Sequence, residues 1–163
     1  MSQVHLHLLI THLPIFGSLI GALVLGYGLW VKSNQTKNAA FFIYIISAIG
    51  AGIAYLTGEG AEEAVENIQG VSENMIELHE EAAMLALISL IALGVMSLVA
   101  LFVSRYKTSL IKTVSIAVLL LSLISFGLVA RTGYLGGQIR HTEIGNVAVQ
   151  SNAGVESGEM DDD

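Results

Sequence analysis

The 163-residue chain has no cysteine, a single proline and few charges. Without cysteine there is no disulfide, no thiolate metal site, no covalently attached c-type haem and no lipoprotein anchor. Any redox chemistry must therefore use His, Met, Tyr or carboxylates. Charged residues make up 13% of the chain against 53% hydrophobic, and the mean hydropathy is +0.69. That balance excludes an ordinary soluble domain and points to an integral membrane protein. Also missing are a phosphate-binding glycine loop, a Ser, Thr or Asp arranged in triad fashion around a histidine, and a basic aromatic patch. Nucleotide chemistry, triad hydrolysis and a nucleic-acid partner have no support.

What is present is four long apolar runs, each near the roughly 20 residues a helix needs to cross a bilayer. The runs predict helices over about 4–31, 39–56, 80–103 and 110–130. The expected fold is all-α: an integral membrane up-down four-helix bundle over residues 1–145, followed by a disordered acidic tail over 146–163. The first run carries no charge before Lys32, so it reads as a retained helix and not a cleavable signal peptide. Gly17 and Gly21 form a GxxxG pair and Ala48 and Gly52 a similar one. Such residues let helix backbones approach closely in lipid, and packing is their expected role.

Charge sets the expected orientation. Lys32, Lys37, Arg105, Lys107 and Lys112 fall at the first and third links, which the positive-inside rule places in the cytoplasm. Both termini and the second link then face the extracytoplasmic side, in a bacterial inner (cytoplasmic) membrane the periplasm. All fourteen acidic residues lie there with only Arg131 and Arg140, a net charge of −12 against +5 on the other side. Within the second link, Glu59, Glu62, Glu63 and Glu66, then Glu73, Glu77, Glu80 and Glu81, predict two short helical pieces, broken at Gly70, that extend the second and third spans out of the membrane.

All five histidines, His5, His7, His12, His79 and His141, map to the acidic side. Ionisable residues near hydrocarbon are costly, so they are functional candidates by default. At 100° per residue His5 and His12 share a helix face, about 20° apart, while His7 and His12 differ by about 140°. Pro14 removes a backbone hydrogen bond and frees the Ile10 carbonyl, which kinks the helix beside His12. His79 opens the third span next to Glu77, Glu80 and Glu81, carboxylates that could take its second N–H as metal-bound imidazoles require. His141 follows Gly136 and Gly137, which are expected to break the fourth helix and turn the chain back toward the surface.

Three readings fit this set. A b-type haem needs two neutral imidazoles on different helices and cations for its propionates. His12 and His79 are the favoured axial pair, His7 and His141 a possible second, with Arg131 and Arg140 as propionate contacts. A non-haem copper, iron or zinc site could use His7, His12, His79 and His141 with Glu62, Glu63 or Glu80. The Glu-x-x-His pair of di-iron bundles is absent, because the local order is Glu77-x-His79. In the third reading the histidines are hydrogen-bonded interfacial residues of a structural or assembly subunit. Secondary transport is a poor match, with no inverted repeat and no acid within the spans.

The run His7-x-x-x-x-His12-x-Pro14, a histidine opening the third helix (His79), and Gly136-Gly137 with His141 a few residues on resemble a bacterial family of four-helix membrane domains catalogued as domain of unknown function 2231. The resemblance covers about residues 5–145. Members fused to c-type cytochrome domains imply electron transfer at the outer membrane face. The residues and the resemblance together give an expectation: a membrane protein with one or two haem b groups that moves electrons between the quinone pool and a separate partner. That partner would be a basic soluble cytochrome or a larger redox complex. The chain would be an electron-transfer protein or complex subunit rather than a stand-alone enzyme.

Overall fold

The computed structural model describes residues 3–66, 71 and 73–140. The expected acidic tail, His141 and the break at Gly70 lie outside them. Helices α1 (Gln3–Trp30), α2 (Asn34–Leu56), α3 (Gly58–Glu66), α4 (Glu73–Tyr106) and α5 (Ile111–Arg140) follow in order, with a 3₁₀ turn at Thr108–Leu110 before α5. The protein is all-α, and α1, α2, α4 and α5 pack up-down as a four-helix bundle. The shortest of these, α2, has 23 residues, about 34 Å at 1.5 Å per residue and enough to cross a hydrocarbon core of about 30 Å. Four spanning-length apolar helices make this a multi-pass membrane protein.

The helices close into a ring in which α1 packs on α2 and α5, and α4 packs on α5 and α2. Each contributes one seam with a seven-residue period, the geometry of helices crossing at a shallow angle. On α1 the seam passes through Pro14, Gly21 and Gly28, on α4 through Ala86, Leu93 and Ala100, and on α5 through Ile111, Val118 and Ser125, all of them buried. Small residues dominate, and they do what packing in lipid requires. A Cβ on Gly17 would collide with Ser47 Oγ, and one on Gly21 with the Tyr44 ring. Ala48 packs toward Gly94, where a Cβ would sit 2.7 Å from its own, while Gly52 faces open space. The expected Ala48 and Gly52 pair is thus one contact and one glycine that packs on no neighbour.

The outward faces are apolar, with Phe16, Leu23, Ile49, Ile88, Leu120 and Ile124 among the exposed side chains. Aromatic residues ring the lysine-rich end: Tyr27 meets Trp30 edge-on at 6.0 Å, and Phe102 meets Tyr106 at 4.6 Å. Tyr55 and Tyr134 are exposed near the histidine end. Rings at both rims are what interfacial anchoring of a spanning bundle uses.

One helix end differs from the sequence reading. Whereas α4 starts at Glu73, as the expected helical extension of the third span, α5 continues to Arg140, ten residues past Ala130. Gly136 and Gly137 do not break α5. A glycine inside a helix costs about 1 kcal/mol relative to alanine, and at Gly136 close packing against another helix outweighs that cost.

Candidate functional site

The histidine end gathers residues from every long helix. His7 falls seven residues before Pro14 and His79 seven before Ala86, so both imidazoles extend the buried seams of α1 and α4. Both are half-buried, whereas His5 and His12 are exposed. Nδ1 of His7 donates to the carbonyl of Ala54 on α2 at 2.9 Å and lies 3.3 Å from Thr57 Oγ1. Nδ1 of His79 donates to the carbonyl of Thr132 on α5 at 3.0 Å. A carbonyl can only accept, so these bonds place the proton on Nδ1 and leave Nε2 with its lone pair.

Glycine makes room for His79. A Cβ on Gly136 would stand 3.0 Å from its Cε1 and 3.1 Å from its Nδ1, so the imidazole lies directly on the α5 backbone. His7 makes a looser approach to α3, with its Cε1 3.7 Å from where a Gly58 Cβ would be. The Nδ1–H of His79 goes to a main-chain carbonyl of α5, and not to one of the neighbouring carboxylates Glu77, Glu80 or Glu81.

The structure does not bring His12 to His79. His12 points away from the bundle, bonds Nδ1 to the Leu8 carbonyl of its own helix at 2.7 Å, and stacks on Phe16 at 6.1 Å with the ring planes 18° apart. It opens on a shallow groove of about 520 Å³ between α1 and α2, lined mainly by Leu13, Phe16, Ile20, Ile43 and Ile46. Arg131 is exposed near the histidine end, Arg140 is the last residue of α5, and His141 lies outside the described residues. Among the described residues, no three His, Asp or Glu side chains converge closely enough to hold a metal ion. A small hollow lined by Glu62, Glu73, Ile76, Glu77 and Glu80 lies on the same end.

The inward orientation shared by His7 and His79 is missing from the sequence reading. Both residues fall on the period-seven lines of the buried seams, but His12 is in line with Leu19 and Gly26, also apolar or small, so only the packing tells the lines apart. Their carbonyl partners, Ala54 and Thr132, leave no trace in the sequence, since any residue supplies a carbonyl. No protein-family model, curated protein or solved structure matches the chain, so the resemblance carried by the His7-to-Pro14 run gains no support from such comparisons.

Proposed function

We propose that this protein is a membrane electron-transfer protein with a b-type haem at the histidine end of the bundle, which Nε2 of His7 and Nε2 of His79 would hold. The observation that carries the reading is the shared arrangement of two half-buried imidazoles. Each has Nδ1 tied to a main-chain carbonyl of a neighbouring helix and Nε2 left as the available donor. Such a bond fixes tautomer and ring orientation and raises ligand basicity. Two fixed imidazoles from different helices suit a bis-imidazole haem better than a three-donor metal site, for which the described side chains supply no converging set. A haem held in this way exchanges one electron between its ferric and ferrous states.

The residues around the pair have matching roles. Gly136 keeps a side chain off the His79 ring, and Arg131 offers a cation at the same end for a propionate. In this reading the histidine end faces the extracytoplasmic side of a bacterial inner membrane, and electrons pass between quinol in the bilayer and a separate basic partner. His12 on the lipid face is then dispensable for haem, and its place in the expected axial pair passes to His7.

A reduced-minus-oxidised visible spectrum of detergent-purified protein, with haem and metal analysis of the same sample, tests this. The expected result is a sharp low-spin b-type band that His7→Ala and His79→Ala abolish and His12→Ala leaves intact. A band lost in His12→Ala but retained in His7→Ala would restore the other pairing. Colourless protein made with ample haem would leave the histidines as helix-to-helix ties of a structural subunit, or as ligands of a non-haem metal if metal analysis finds one.

A further inference from the structure

The lysine-rich end of the bundle holds one buried cation. Lys37 is on the seven-residue line of Tyr44 and Ala51, the buried seam of α2, and is only 5% exposed, whereas Lys32, Arg105, Lys107 and Lys112 are all exposed. Its stem lies on the end of α1, where a Cβ on Gly28 would stand 3.1 Å from Lys37 Cγ. Helical side chains lean toward the N-terminus of their helix, so from the fourth residue of α2 this one leads toward the end of the bundle. Its amine is not closed off as the Asn38 Oδ1 atom is, and it makes no hydrogen bond or ion pair among the described residues.

The chain supplies no counter-charge at this place. No Asp or Glu occurs before Glu59 or between Glu81 and Glu143, so neither the α1–α2 turn nor the α4–α5 link has a carboxylate. The carbonyls that end α1 are taken by the turn: Tyr27 accepts from the Val31 amide, Gly28 from Ser33 and Leu29 from Lys32. A cation near the start of a helix also meets the positive end of the helix dipole, and α2 has no acid in its first turn to offset it.

Donors at the start of α2 are left over as well. Ser33 accepts from the Thr36 amide through its hydroxyl and from the Lys37 amide through its carbonyl. The amides of Asn34 and Gln35 have no partner among the described residues. Free amides at a helix N-terminus are donors suited to an anion, and a shielded charge is tolerated when it is paired. The fitting partner is therefore an anion from outside the chain. Tyr27 and Trp30, exposed at the end of α1, put this end at the membrane interface, the level of the phospholipid headgroups. A zwitterionic headgroup brings its own cation, whereas an anionic one leaves its charge for the protein.

We infer that the start of α2 is a binding site for an anionic phospholipid headgroup, in which Lys37 Nζ supplies the counter-charge to the phosphate and the Asn34 and Gln35 amides donate to its oxygens. The inference is independent of the haem reading.

Thermal unfolding of the full chain in lipid nanodiscs tests this, comparing phosphatidylcholine alone with a mixture containing phosphatidylglycerol. The parent is expected to melt a few degrees higher in the mixture. Lys37→Met, which fills the same space without charge, should melt at one temperature in both lipids. Lys112→Gln, which removes an exposed cation from the same end, should keep the parent's response. A parent indifferent to phosphatidylglycerol, or a Lys37→Met that still responds, overturns the proposal. Equal loss of the response in Lys112→Gln also overturns it, because the effect would then belong to the charge of the whole end. Native mass spectrometry of the parent gives a readout that needs no variant: phosphatidylglycerol should be retained in preference to phosphatidylcholine, and equal retention overturns the site. Inorganic phosphate that raises the melting temperature in phosphatidylcholine as far as phosphatidylglycerol does would make the ligand a free anion and overturn the lipid assignment.

Discussion

A histidine near a bilayer acquires its chemistry from whatever holds its first nitrogen. His12 spends Nδ1 on its own helix and faces outward, and the ring it stacks on, Phe16, belongs to α1 as well, so its described ring partners tie it to no other helix. The corresponding atoms of His7 and His79 are anchored to α2 and α5, so their second nitrogens are held in place by three helices besides α1. The anchoring of His79 depends on the absence of a side chain at Gly136. Replacing glycine by alanine inside a helix gains about 1 kcal/mol where space allows, and overpacking costs about 1–3 kcal/mol where it does not. Gly137 faces open space and Gly136 faces the imidazole. Thermal unfolding in detergent should therefore find Gly137→Ala neutral or stabilised, and Gly136→Ala less stable than Gly137→Ala by about 1–3 kcal/mol.

At the scale of elements, the turn between α1 and α2 shows how local chemistry sets the register of the bundle. Lys32 takes a positive φ of 55°, and Ser33 caps α2 by accepting from the Thr36 amide at 3.2 Å. The left-handed conformation costs a non-glycine residue about 1–2 kcal/mol, and a serine N-cap is worth about 1 kcal/mol against alanine. Denaturation should rank Lys32→Gly at or above the parent and Ser33→Ala about 1 kcal/mol below it. Equal stability of all three would show that the turn follows the helix packing and contributes nothing of its own. The longer α5 has a similar explanation. The two glycines offer weak local reasons to stop, and contact with α4 through His79 carries the helix past them.

The whole molecule is electrically two-ended. Lys32, Lys37, Arg105, Lys107 and Lys112 gather at one end, and at the other Glu59, Glu63, Glu73, Glu77, Glu80 and Glu81 are all exposed around the histidine pair. A field of one sign over a surface raises the encounter rate of an oppositely charged partner, and added salt screens it within about 8–10 Å at physiological strength. If the proposed electron transfer is right, reduction of a basic soluble cytochrome by the reduced protein should slow as ionic strength rises. An acidic cytochrome should show no such slowing. Rates independent of salt for both would remove the acidic end from partner recognition.

Composition and hydrophobic run length were sufficient for the class of this protein, because lipid permits few ways to satisfy a backbone and four apolar runs of this length leave the helical bundle. The packing role of Gly17 and Gly21 was legible because only small residues allow close approach, and the structure adds that α2 is what they pack on. The partner of each histidine was not legible. The choice between His7 and His12 turns on which face of α1 meets the other helices, a matter of about 140° of rotation that the local run, apolar all round, does not resolve. The carbonyls of Ala54 and Thr132 belong to the backbone and carry no side-chain signature. The extension of α5 through Gly136 and Gly137 reverses their local propensity, because a contact between helices outweighs a cost of about 1 kcal/mol per glycine. The sequence by itself determined that this chain is a membrane bundle with its histidines toward one end, since apolar length and residue order are one-dimensional properties. Only the tertiary structure decided that His7, and not His12, turns toward the other helices, because the rotation of one helix against three others is set by packing.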